Sequence, residues 1–420
     1  MEKQAQHRLV ILGSMDDFQE LVRLAKKRGI YTICCDGYPN GVAKTIADKS
    51  YTIDIRQADQ VAQMCINEKA DGIITSFSDL LFEQATLIAD KAGLPWYAKP
   101  DVLRYYREKD QAKAFMTRLG IHVPRNIRLS RDFSDDALAN FTFPVVIKPL
   151  DSYGSKGIYV VESATEIRQL YSKVLEKSCW DRNDILIEEY CQGREYNIMS
   201  WIVDGKVYPI SLGDREKNPR KGSEIPNVTR MVYPARAFHN VLDKAVEVLQ
   251  KFADGIGQKS GPLSMQFFMQ EDAIVYVCEI AGRLFGYEEG VVEGCCGLCV
   301  EELLLDEVYN KSSLAKTMTS HNPFFQGYYA SLYFIPVSGK QIKDLTACYE
   351  LCKDDHVMAG KIFYQEGEFT GETAGKPYLA RYYLKAASYE ELDRVTQYFY
   401  EKMHVSAVDG SEVSVRFFLS

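Results

Sequence analysis

Over the first hundred residues, short apolar runs alternate with segments of helical spacing. Residues 8–13 (RLVILG) form an apolar run ending at Gly13, and residues 18–29 place Phe18, Leu21, Val22, Leu24 and Ala25 at helical intervals before Gly29. Residues 30–36 read as a strand, 61–70 as a helix, 71–76 as a strand and 80–93 as a helix. Strand and helix in this order predict βαβ units around a parallel sheet. The turn after the first strand reads GSMDD and lacks the glycine-rich dinucleotide fingerprint, which argues against a dehydrogenase built on this unit.

The pattern then changes. A helix over 106–120 stops at Gly120, and residues 143–163 (FPVVIKPLDSYGSKGIYVVES) are two β-rich runs around a polar loop, a hairpin signature. A helix is expected at 165–177, strands with an Asp-Gly turn at 185–213, and a mobile loop over the polar stretch 214–227. A helix (236–254) leads into a strand pair within 262–286, and beyond residue 320 strands precede a helix at 389–402. The expected fold is α/β followed by α+β, in three regions: 1–100, 101–320 with a lid over about 120–187, and 321–420.

Composition narrows the class. At 46% hydrophobic and 26% charged, the 420 residues are globular. The formal net charge of −8 and the lack of a basic stripe argue against a nucleic-acid partner. An anionic ligand would therefore require positive charge to be concentrated locally. No apolar run approaches about 18 residues and no export signal is read, so a cytoplasmic protein off the membrane is expected. The eleven cysteines are scattered and read as reduced thiols. Cys295, Cys296 and Cys299 lack a second ligand pair at zinc spacing and are read as packing.

Three segments can carry chemistry. Lys148 lies within an apolar strand, where an unpaired ammonium is costly, and is followed by Ser152, Gly154, Ser155, Lys156 and Gly157. That loop can cradle phosphate oxygens with backbone N–H groups, or it can be an ordinary polar turn. Glu188 and Glu189 end a strand ahead of Cys191 and Glu195, offering either a nucleoside edge or solvated acids. Gln266 and Glu279 face each other on neighbouring strands as oxygen donors for Mg²⁺, with Arg283 four residues on as an oxyanion fork. A cross-strand or surface pair is the alternative.

The order of these parts resembles the ATP-grasp superfamily, which includes carboxylate–amine ligases, biotin carboxylase and the large chain of carbamoyl-phosphate synthetase. The resemblance covers nearly the whole chain and implies an ATP-grasp fold with an N-terminal Rossmann-like domain. It implies ATP and Mg²⁺ (or Mn²⁺), with Lys109 and Lys148 at the nucleotide and Ser152, Gly154, Ser155, Lys156 and Gly157 as a flap. Glu188, Glu189 and the backbone of Cys191 would meet the adenine and Glu195 the ribose. Gln266 and Glu279 would hold metal, and Arg283 would steady an acyl phosphate, with Lys148 beside it in catalysis. The implied activity is ADP-forming C–N ligation of a small carboxylate, such as an amino acid, to an amine. Arg230 and Arg283 are the candidate substrate residues, with Arg215 and Lys217 also near, and Phe285 and Tyr287 as candidate pocket walls. A homodimer is common in such relatives.

Two positions depart from the pattern: Gln266 stands where Asp or Glu is usual and Ala281 where Asn is usual. Glu288 and Glu289 are candidate substitutes. These departures define the competing reading, a nucleotide-binding protein with a degenerate metal site and no turnover. A biotin carrier segment and a duplicated core are not seen, which disfavours biotin carboxylation and carbamoyl-phosphate synthesis.

Overall fold

The alternation of apolar strand and amphipathic helix near the N-terminus yields a parallel sheet in the computed structural model, which describes residues 7–152, 156–220, 222–270, 273–286, 288–371, 376, 378–417 and 419. Strands β1 (Arg8–Leu12), β2 (Tyr31–Cys35), β3 (Lys49–Tyr51) and β4 (Gly72–Ile74) lie in the order β3-β2-β1-β4. Leu9 to Leu12 are fully buried because helices cover both faces of β1. The helix Asp79–Ala92 starts on a Ser78 side-chain cap and ends at Gly93 in the left-handed conformation.

A second sheet contains β5 (Asn126–Leu129), β6 (Val145–Pro149), β7 (Tyr159–Val161) and β8 (Ile185–Glu189), ordered β5-β8-β6-β7 and antiparallel throughout. The hairpin expected at 143–163 is present, with Val145 opposite Val161. One face packs on the helix Ala164–Leu175. This small sheet forms a lid.

The remaining strands are β9 (Arg194–Val203), β10 (Lys206–Lys217), β11 (Val228–Tyr233), β12 (Gly261–Met269), β13 (Val275–Ala281), β14 (Tyr328–Phe334), β15 (Ile342–Asp344), β16 (Val357–Ile362), β17 (Ala380–Ala386) and β18 (Ser406–Ala407). Among the described residues, eight of them form one sheet in the order β13-β12-β9-β10-β11-β14-β17-β16, while β15 pairs β18. β9 turns into β10 through Asp204 and Gly205, both at positive φ (49° and 83°), as a tight hairpin turn requires. Because β11 pairs directly with β14, the boundary expected at residue 320 does not interrupt the sheet.

Side-chain alternation sends β9 to two cores. Tyr196, Ile198 and Ile202 pack toward the helix Phe238–Ile256, while Met199 and Trp201 pack toward the N-terminal domain and the helices between 289 and 320. The expected loop over 214–227 needs correction. Residues 214–217 continue β10, paired to β9 through Asp214–Tyr196, so strand pairing outweighs local polarity there. Among the described residues no helix is long and apolar enough to cross a membrane.

Candidate active site

The lysine of the apolar run lies on β6 between two strands, only 5% exposed. Its Nζ lies 2.6 Å from Glu188 Oε2, on the neighbouring β8. Lys113, from the helix Lys109–Arg118, approaches the other oxygen at 2.9 Å. Burial opposes all this charge, yet the two ammoniums hold the Glu188 carboxyl below its ordinary value. Burial likewise opposes the charge on Lys148, and Glu188 overrides it, raising that ammonium above the usual lysine value. Glu188 therefore anchors lysines, whereas the next residue, Glu189, points outward and is exposed. Both residues line the cavity described below, strand alternation turning their side chains to opposite faces of the sheet.

Lys109 is tied to the base of the glycine loop: its N–H donates to Leu150 O (3.0 Å) and its Nζ to Ser152 O. Burial, and then the charge of Lys148, bring its ammonium down to about 8. Ser152 is buried and donates to Lys156 O (3.0 Å), Lys156 is exposed, and Gly157 has φ +72° with no room for a Cβ between Lys177 and Pro149. Gly154 and Ser155 lie outside the described residues, as does Tyr287. Asp151, fully buried, accepts from Ser178 Oγ (2.6 Å) and the N–H groups of Cys179 (2.8 Å) and Trp180 (3.1 Å), fixing the other side of the loop base.

Between lid and central sheet lies a cavity of about 820 Å³. Val146, Ile158 and Val160 line it from the lid, Phe268 and Cys278 from the central sheet, with Tyr190 and Cys191 at the connecting segment. This is a slot of apolar walls edged by backbone, which suits a planar base. Burial pushes the half-buried Cys191 thiol up to about 12, so it stays neutral. The connection requires Gly193: at φ +150°, a Cβ would come within 2.6 Å of Met269 O.

The polar wall is built from one face of three strands. Glu195 and Asn197 (β9), Arg215 and Lys217 (β10) and Gln266 (β12) share it because cross-strand partners point the same way. Gln266 Nε2 donates to Glu195 Oε1 (2.5 Å), Arg215 Nε stands 2.8 Å from that oxygen, and Lys217 meets Oε2. Gln266 is opposite Glu279 in register, as expected. Glu279 is exposed, and its charge acts on Lys109, Lys148, Arg215 and Arg283. Asn197 donates to Glu288 Oε1 (3.0 Å), and its buried Oδ1 has no hydrogen-bond partner among the described residues. Glu288, buried and bonded also to the Tyr233 hydroxyl, is pushed up mainly by burial, while Glu289 pairs with Arg381 (3.6 Å). One carboxylate, a facing amide and an orphaned amide oxygen on the adjacent strand fit a hard cation that takes its other ligands from phosphate and water.

Two candidate substrate residues, Arg283 and Arg230, are engaged by other protein groups. Arg283 is buried and forked onto Asp79, with Nε–Oδ1 at 2.8 Å and Nη2–Oδ2 at 2.7 Å, while Nη1 donates to Leu284 O (3.2 Å). Its guanidinium joins the central sheet to the N-terminal domain and is not in the cavity wall. Phe285 is buried in the core on that side. Arg230 is on β11 just after the polar segment 218–227; it lines the cavity, and alternation turns it to the opposite face of the sheet from Glu195. There it binds Glu216 (2.7 Å), Asp393 (2.9 Å) and Thr396 Oγ1 (2.9 Å). All its edges are engaged by protein.

Sequence reasoning missed Lys113 and Asp79. Lys113 follows Lys109 by four residues, so both share a helix face, a signal that was available. Asp79 lies 204 residues from Arg283 and carried no local signal.

Comparison with known proteins gives the same picture. Residues 141–290 match the family model described as the ATP-grasp domain. A formate-dependent phosphoribosylglycinamide formyltransferase of Nitratiruptor sp. is 24% identical over 282 residues, 66% of this chain and 69% of that one. A carbamoyl phosphate synthase large chain of Clostridium beijerinckii is 27% identical over 270 residues, 62% of this chain but 24% of that longer one. Among solved structures, an L-amino acid ligase from Bacillus licheniformis superposes with a TM-score of 0.78 at 17% identity, covering 96% of this chain and 100% of that one. A carboxyaminoimidazole ribonucleotide synthase from Aspergillus clavatus, complexed with ATP, gives 0.73 at 16% identity, covering 94% and 98%. Residues 141–290 thus match the ATP-grasp domain, and over nearly its whole length the chain shares the fold of these solved structures.

Proposed function

We propose that the chain is an ADP-forming ligase that activates a small carboxylate as an acyl phosphate and passes the acyl group to an amine. The observation that carries this is the placing of Lys148, Arg215, Lys217 and Gln266 in the wall of one cavity that also has an apolar slot, in a chain of net charge −8. The slot takes the adenine, with the 189–191 backbone at its edge, and Glu195 takes the ribose hydroxyls. Lys109 and Lys148 take phosphate oxygens beneath the 152–157 loop. Glu279 and Gln266 would hold Mg²⁺ or Mn²⁺, which when bound neutralises the phosphate oxygens as charge spreads.

A carboxylate oxygen attacks the γ-phosphorus, and the bond to the β-phosphate oxygen breaks to release ADP. The amine nitrogen then attacks the carbonyl carbon, phosphate departs with the C–O electron pair, and the nitrogen gives up a proton to phosphate or solvent. Fixed cations and fixed geometry provide the acceleration. The relatives' names point to small carboxylates: one is formate-dependent and another ligates L-amino acids. The test is ADP and phosphate release with pooled amino acids and short carboxylates. Stimulation is expected in wild type and a loss of at least ~100-fold in Glu279→Ala, the scale of a deleted charge-stabilising group. Tight ATP binding with no stimulated ADP in wild type would refute the ligase reading.

A further inference from the structure

The arginine that holds the substrate carboxylate must offer donors that the protein does not use. Arg283 and Arg230 have fewer to offer, since Asp79 and Leu284 O engage the first and Glu216, Asp393 and Thr396 engage the second. Arg215 differs. Its Nε is buried and 2.8 Å from Glu195 Oε1, but the contact lacks hydrogen-bond alignment. Among the described residues no hydrogen bond is made from its Nη groups either. Buried donors in folded proteins are almost always satisfied, so this guanidinium points to a ligand. It lines the cavity on the same sheet face as Gln266 and Asn197 and within the field of Glu279.

We infer that Arg215 binds the carboxylate group of the acyl substrate and presents it to the γ-phosphate. The inference rests on the ligase reading. Phosphate oxygens already have Lys109 and Lys148 on the lid side, whereas Arg215 approaches from the sheet. Its planar fork matches a planar carboxylate at two points, which a lysine ammonium does not. Lys217 and Gln266 also contact Glu195, so that carboxylate keeps partners if the arginine is removed.

The experiment uses the full chain with Mg²⁺-ATP, a panel of single L-amino acids and hydroxylamine, which intercepts an acyl phosphate as a hydroxamate. The amino acid giving most hydroxamate is then titrated against wild type, Arg215→Lys and Arg215→Gln, with N-methylanthraniloyl-ADP binding measured in parallel. The expected result is a carboxylate KM raised by ~30-fold or more in Arg215→Gln, about 2 kcal/mol at 1.4 kcal/mol per tenfold. Arg215→Lys should be intermediate, and nucleotide Kd should stay within about threefold, which also reports an intact fold. An unchanged KM, or a nucleotide Kd weakened tenfold with KM unmoved, overturns the assignment and gives Arg215 to the phosphates or to structure. Absence of hydroxamate from wild type with every amino acid, and with short carboxylates in their place, overturns the ligase reading on which the inference stands.

Discussion

Replacing Glu188 by Gln keeps the side chain's shape and removes the only negative charge between two buried ammoniums. In the native chain Lys113 and Lys148 stand 2.9 and 2.6 Å from its two oxygens, and all three side chains are no more than 6% exposed. The amide leaves both lysines without their counter-ion, and removal of one partner from a buried pair costs about 3–5 kcal/mol. Lys113→Met leaves a balanced Lys148–Glu188 pair, so it should cost less, about 1–2 kcal/mol. Urea unfolding without nucleotide, followed by circular dichroism and tryptophan fluorescence, gives both numbers. The double variant gives the coupling, expected at roughly 0.5–3 kcal/mol. The pH dependence supplies a second check. The folded carboxyl is held below its unfolded value, so its contribution is present above about 4.5 and is lost as pH falls through the lower folded value. The gap between wild type and Glu188→Gln should therefore close on acidification. A loss below about 1 kcal/mol in Glu188→Gln, or an equal loss in Lys113→Met, would refute the reasoning.

Lys109 is brought down to about 8, so nucleotide anions should bind best below that pH and more weakly as it rises past 8. Titration of N-methylanthraniloyl-ADP from pH 7 to 9.5 should show this decline in wild type and a flat profile in Lys109→Met. Asp79→Asn removes the half-buried carboxylate paired with the buried Arg283 and should cost about 3 kcal/mol in urea unfolding, the low end for a broken buried pair. Burial opposes the Asp79 charge and Arg283 overrides it, holding the carboxyl below its usual range. The difference from wild type should therefore be full above pH ~4 and vanish in more acidic solution. A pH-independent difference would indicate a purely steric effect.

Local pattern determined much of this protein. Periodicity located the helix Tyr389–Lys402 to the residue and the hairpin of β6 and β7, because each element's spacing reflects which of its own faces is buried. The facing of Gln266 and Glu279 was legible for the same reason: two apolar strands joined by a short turn leave little freedom of register. What side chains meet across the chain was not legible. Residues 214–217 read as a polar loop because their partners, Glu195 and Tyr196 on β9, are brought beside them only by the sheet. The partners of Arg230, Glu216 and Asp393, were not legible because its strand, and hence the face it points to, depends on pairing with β10 and β14. Arg283 read as an oxyanion fork because Asp79, its partner, is placed by a different domain. Residue type states that a buried charge needs a counter-charge, and tertiary structure alone decides whether the protein or its ligand provides it.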